Sequence, residues 1–75
     1  MNFGVEFEQE EDGRWIAEIP EIPGALAYGV TPMQAGERVK ALALRVIAER
    51  METEAAIPCI NSIEFACNYG RMAVN

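Results

Sequence analysis

Apolar and polar residues alternate from the start of the chain: Phe3, Val5 and Phe7 are interleaved with Gly4, Glu6 and Glu8. A period of two predicts a half-buried strand. Glu10-Glu11-Asp12-Gly13 follows, and Asp-Gly is a strong hairpin signal because glycine accepts the positive φ of a tight turn. The alternation resumes from Arg14 to Ile19, with Trp15, Ala17 and Ile19 on one face and Ile16 and Glu18 on the other. Pro20-Glu21-Ile22-Pro23-Gly24 then interrupts it, since neither proline can donate to a ladder. Ala25 to Tyr28 reads as a short third strand ended by Gly29, and its shortness suits a sheet edge.

The period then changes. Thr31 is a good N-cap, Pro32 suits the first helical position, and Gln34 completes a capping box three residues after Thr31. The predicted helix runs to about Glu52. Ala35, Val39, Leu42, Ala43, Val46 and Ile47 form its inner stripe, and Gln34, Arg38, Arg45, Glu49 and Glu52 a polar strip. Met33, Leu44 and Met51 fall on a second apolar side, with Ala41 and Ala48 beside them. A helix covering one sheet face needs only one such side. Two covers fit it: the chain's own tail from Tyr69 to Val74, or a subunit or partner, for which flexible methionine is well suited.

Ile57-Pro58 ends the helical pattern, and Ile60 to Cys67 reads as a last strand with Ile63, Phe65 and Cys67 toward the core. A strand reached through a helical crossover usually runs parallel to its neighbour. The expected fold is α+β, a β-β-β-α-β unit with a mixed four-stranded sheet in order 3-2-1-4 and one helix on one face. With 75 residues the chain is read as a single domain, 1–75, with no separate DNA-binding domain. So short a domain buries only about 60% of the surface that its unfolded chain exposes, which makes self-association an expected source of stability.

Charge changes the picture. Residues 1–37 hold eight acids against one base, Arg14, whereas residues 38–75 hold four acids and five bases. An acidic half repels phosphate backbones and attracts basic partners; it also serves simply to solvate a sheet face. Direct nucleic-acid binding is therefore not expected, and basic residues are too few to build it. The chain has no histidine, which removes the commonest general base and most zinc sites. Cys59 and Cys67 have neither a metal-site spacing nor an activating histidine and are read as free thiols. No glycine pattern matches a phosphate loop. No catalytic residue, cofactor or metal site is assigned; Glu6, Glu8 and Glu64, on adjacent expected strands, are the one conceivable cation cluster. Trp15 reads as a core anchor or as a recognition hot spot. The chain opens with no basic stretch leading into an apolar core, and no apolar run approaches membrane-spanning length, so a cytoplasmic protein is expected.

The stretch Glu11-Asp12-Gly13-Arg14-Trp15-Ile16-Ala17-Glu18-Ile19-Pro20-Glu21-Ile22-Pro23-Gly24 resembles the HicB antitoxin family, with its acidic DG turn, W-x-A strand and P-E-L-P-G. Tyr28-Gly29-Val30-Thr31 and Gln34-Ala35 continue the likeness into the helix, so that it covers about residues 3–52. The resemblance implies a partial RNase H-like fold without RNase H chemistry. It also implies an antitoxin that binds and neutralises a HicA toxin, a small basic mRNA-cleaving protein. Many such antitoxins append a DNA-binding domain; about eight residues follow the last expected strand, so operator binding and autoregulation are not expected. The alternatives are a solitary HicB-like oligomeric interaction domain without a toxin, or a residual metal-dependent nuclease. Partner-facing residues are expected among Glu8, Glu10, Glu11, Asp12, Glu18 and Glu21. Self-association, as a homodimer or a tetramer built from dimers, is expected through Met33, Leu44 and Met51 or through the edge of the third strand.

Overall fold

The computed structural model describes residues 1–53 and 62–67. Its elements are β1 (Asn2–Gln9), β2 (Trp15–Glu18), β3 (Leu26–Gly29), α1 (Pro32–Thr53) and β4 (Glu64–Cys67). They form one four-stranded sheet in the order β3-β2-β1-β4. β1 pairs antiparallel with β2, β2 antiparallel with β3, and β4 parallel with β1. The α+β topology is thus the one that the residue pattern predicts, with the crossover strand beside the first. Two strands are displaced slightly. Ala25 falls outside β3 because its N–H donates to the Ile22 carbonyl at 3.0 Å, within the proline-rich turn. β4 begins at Glu64; of the expected strand start, Ile60 and Asn61 lie outside the described residues.

The turns follow from their glycines. Gly13 has φ 95°, and its N–H donates to the Glu10 carbonyl at 2.9 Å to close the hairpin. Gly24, at φ 87°, closes the turn that buries Ile22 against the core. Thr31 caps α1: its Oγ1 accepts the Gln34 N–H at 3.0 Å. The Gln34 Oε1 reaches back and accepts the Val30 N–H at 2.8 Å, one residue before the cap. Four backbone and side-chain groups at the helix start are satisfied this way, which fixes where α1 leaves the sheet.

The core lies between α1 and one sheet face. Phe3, Val5, Ala17, Ile19, Ile22, Ala25, Ala35, Val39, Ala43 and Ile47 are buried. Trp15 is half-buried and packs against that core, in keeping with an anchoring role. The inner stripe of the helix is narrower than its apolar pattern: Leu42 and Val46 are half-buried, and Gly36 is buried in the stripe. Small residues on both sides explain this. Gly29 of β3 lies against Ala35, Ala27 packs on the core, and Gly36 and Ala43 are buried on the same helix, so α1 sits close with its small side inward. A Cβ at Gly29 would lie 2.5 Å from the Ala35 backbone nitrogen. At the other side of the sheet the β1–β4 register sets Phe3 opposite Phe65, with ring centroids 5.9 Å apart. The N-terminal ammonium donates to the Ser62 carbonyl at 2.8 Å, pinning the first residue beside β4. No helix among the described residues is long and apolar enough to cross a membrane.

Candidate partner-binding face

Among the described residues α1 covers one face of the sheet and no element covers the other, the bare face. Strand parity decides which side chains reach the bare one. Because Phe3, Val5 and Ala17 point to the core, Asn2, Gly4, Glu6 and Glu8 of β1 point away from it, as do Ile16 and Glu18 of β2. The register adds Leu26 and Tyr28 from β3 and Glu64 and Ala66 from β4. Glu6 lies directly opposite Glu18 across the β1–β2 ladder, and Glu8 opposite Ile16. Like charges set opposite one another on one face are destabilising. Among the described residues no cation pairs with Glu6, Glu8, Glu18 or Glu64: the two ion pairs are Arg14–Asp12 and Lys40–Glu37. The face is therefore an acidic row on the central strands bordered by Ile16, Leu26 and Tyr28.

The hairpin extends that row. Glu8, Gln9, Glu10, Glu11 and Asp12 line a shallow open hollow at the end of the sheet. Arg14, the base of the N-terminal half, neutralises only one acid of it, Asp12. Its Nε donates to Asp12 Oδ2 at 2.9 Å, and its guanidinium carbon stands 4.6 Å from the centre of the Tyr28 ring. The Arg14 backbone N–H also donates to Asp12 Oδ1 at 3.0 Å. That bond is the chief reason the Asp12 carboxyl is held below its ordinary pKa, with the guanidinium adding to it. Arg14 is thus consumed by one acid of the hairpin and by an aromatic ring.

The six acids singled out in the sequence do not form one patch. Glu8 and Glu18 lie on the bare face, and Glu10, Glu11 and Asp12 on the adjoining hairpin. Glu21 is exposed in the turn between β2 and β3, at the opposite end of the sheet from the hairpin. Glu6 and Glu64 belong to the row and stand outside the six. The signal for Glu6 was present in the sequence, because a strand that sends Glu8 outward sends Glu6 the same way. Glu6, Glu8 and Glu64 share the face, yet no three His, Cys, Asp or Glu among the described residues form a group able to hold a metal. Among the described residues Met33, Leu44 and Met51 are exposed on the flank of α1, at 67%, 45% and 56%; the tail expected as one cover for them, 69–74, lies outside the described residues. Cys67 is a free, half-buried thiol, and Cys59 lies outside the described residues.

These features define a class: a small α+β domain with a single-layer sheet whose acidic outer face is covered by no element among the described residues. No protein-family model matches the chain, and neither does a curated protein or a solved structure.

Proposed function

We propose that this protein is an antitoxin of HicB type, a non-catalytic inhibitor that binds a small basic mRNA-cleaving toxin by protein–protein contact. The observation that carries this reading is the bare sheet face, where among the described residues no cation pairs with Glu6, Glu8, Glu18 or Glu64. A protein that cleaves RNA holds phosphates with Lys and Arg. A row of carboxylates on a rigid sheet competes for those same side chains. It also speeds encounter with a basic surface, an effect that weakens as salt is added. The DG turn, the W-x-A strand and the P-E-I-P-G turn support the family reading, and with it a partial RNase H-like relationship and action in the cytoplasm.

Unpaired like charges cost stability in the free domain and are relieved when basic groups arrive. Such an arrangement favours a bound state over an empty one. The test is co-expression with the product of any adjacent short reading frame that encodes a basic protein, followed by co-purification. The expected result is a salt-sensitive complex that no longer cleaves RNA. A neighbour that purifies alone, or a complex that retains full RNA cleavage, contradicts the proposal.

A further inference from the structure

The bare face is graded across its strands. Two rungs of the ladder cross it: Glu6, Glu18 and Leu26 on one, Glu8, Ile16 and Tyr28 on the next. Its β1 side is therefore acidic and its β3 side apolar, with Glu18 and Ile16 on β2 between them. Leu26 and Tyr28 are 41% and 40% exposed, and Ile16 is half-buried. A shallow depression of about 80 Å³ opens over the β1–β2 ladder, lined by Glu6, Phe7, Glu8, Ile16 and Glu18. Single exposed apolar residues are ordinary. Here three sit side by side on adjacent strands, rimmed by acids, which is the mark of an interaction surface.

We propose that this face docks one amphipathic helix of the basic partner, lying along β2, with lysine or arginine on its β1 side and apolar residues on its β3 side. The inference rests on the antitoxin reading for the partner's basic character and adds how that partner is held. β1 and β3 are two strand spacings apart, about 10 Å, which is the width of a helix with its side chains. The repeats match as well. Glu6 and Glu8 are ~6.7 Å apart along β1, as are Leu26 and Tyr28 along β3, and four residues of a helix advance ~6 Å. Basic residues at i and i+4 thus meet the two acids. Apolar residues one position away, about 100° round the helix, meet Leu26 and Tyr28. In an extended segment successive side chains point to opposite faces, so it presents one row to the sheet rather than two.

Arg14 decides which side takes the cations. Its guanidinium carbon stands 4.6 Å from the centre of the Tyr28 ring, and its Nε is bonded to Asp12. A basic side chain placed at that end of the β3 side meets a like charge, so the partner's cations are confined to the β1 side. There the stem of a lysine or arginine finds apolar cover on Ile16 while its head reaches Glu6, Glu8 and Glu18. The acids steer encounter, and the apolar side resists dissociation. The two contributions are separable, because salt screens only the first.

The probe is a synthetic helical peptide of about 18 residues, with lysines along one side and leucines along the other. Titrated into the isotope-labelled protein, it should shift the NMR amide signals of β1, β2 and β3. It should bind at least about tenfold more tightly than a peptide of the same composition with Lys and Leu alternating, the pattern of a strand. Leu26→Gln with Tyr28→Gln should weaken binding at least about tenfold and leave its salt dependence unchanged, whereas Glu6→Gln with Glu8→Gln should flatten that dependence. If the Leu26 and Tyr28 double variant does not fold, the signal shifts in the unaltered protein decide. Absent or equal binding of the two peptides, shifts confined to other surfaces, or full affinity in the folded Leu26 and Tyr28 variant overturns the inference. The peptide needs no toxin, so this outcome is separate from whether a neighbour co-purifies.

Discussion

Arg14 shows how one side chain loses its apparent role. In the sequence it is the sole base among residues 1–37, the obvious counter to eight acids. In the structure it is held between Asp12 and the Tyr28 ring, and the acids of β1 stay unpaired among the described residues. Nothing in the residue pattern signals this, because it depends on the hairpin closing and on β3 lying beside β2. Asp12 records it. Its folded pKa is depressed, so whatever stability it adds is complete above the unfolded value and is lost as pH falls through the folded one. An NMR titration of the Asp12 carboxyl should give a midpoint below the ordinary carboxylate value. In Arg14→Ala part of the depression should survive, because its largest cause is the backbone N–H of residue 14. A full return to the ordinary value in that variant would contradict the assignment.

Among the elements, the contact of α1 with β3 is governed by size rather than by apolarity. Ala27 and Gly29 offer the helix almost no side chain, and Ala35 and Gly36 answer in kind. Gly29→Ala should destabilise the fold by about 2–3 kcal/mol in urea unfolding, as overpacking against a fixed neighbour does. The clash is with the Ala35 backbone nitrogen, at 2.5 Å, so adding Ala35→Gly should not rescue it. A loss below about 0.5 kcal/mol, within the range of ordinary surface changes, would contradict the close approach. Much of this level was legible in the sequence. Alternation gave three strands, Thr31-Pro32 with Gln34 gave the helix start, and the crossover gave β4 beside β1. Periodicity could not give the roll of the helix. It counts Leu42 and Val46 as core and passes over Gly36, because an apolar period does not reveal how near the backbones come.

At the scale of the whole molecule, one helix and one sheet divide the surface into unlike parts. The covered face holds the core. Among the described residues the other face carries an acidic row on β1, β2 and β4. The acidic bias was visible in the sequence, but its gathering was not, since Glu64 joins Glu6 through the β1–β4 pairing while Glu21 is sent to the far end. The central claim is that the acidic face silences a basic RNA-cleaving partner. Its most direct test is the partner's RNA cleavage measured against increasing amounts of this domain, either unaltered or carrying Glu6→Lys, Glu8→Lys and Glu18→Lys together. The unaltered domain should abolish cleavage near one equivalent, and the reversed domain should need at least about a hundredfold more, equivalent to ~2.7 kcal/mol of binding. Equal inhibition by a folded reversed domain would contradict the account.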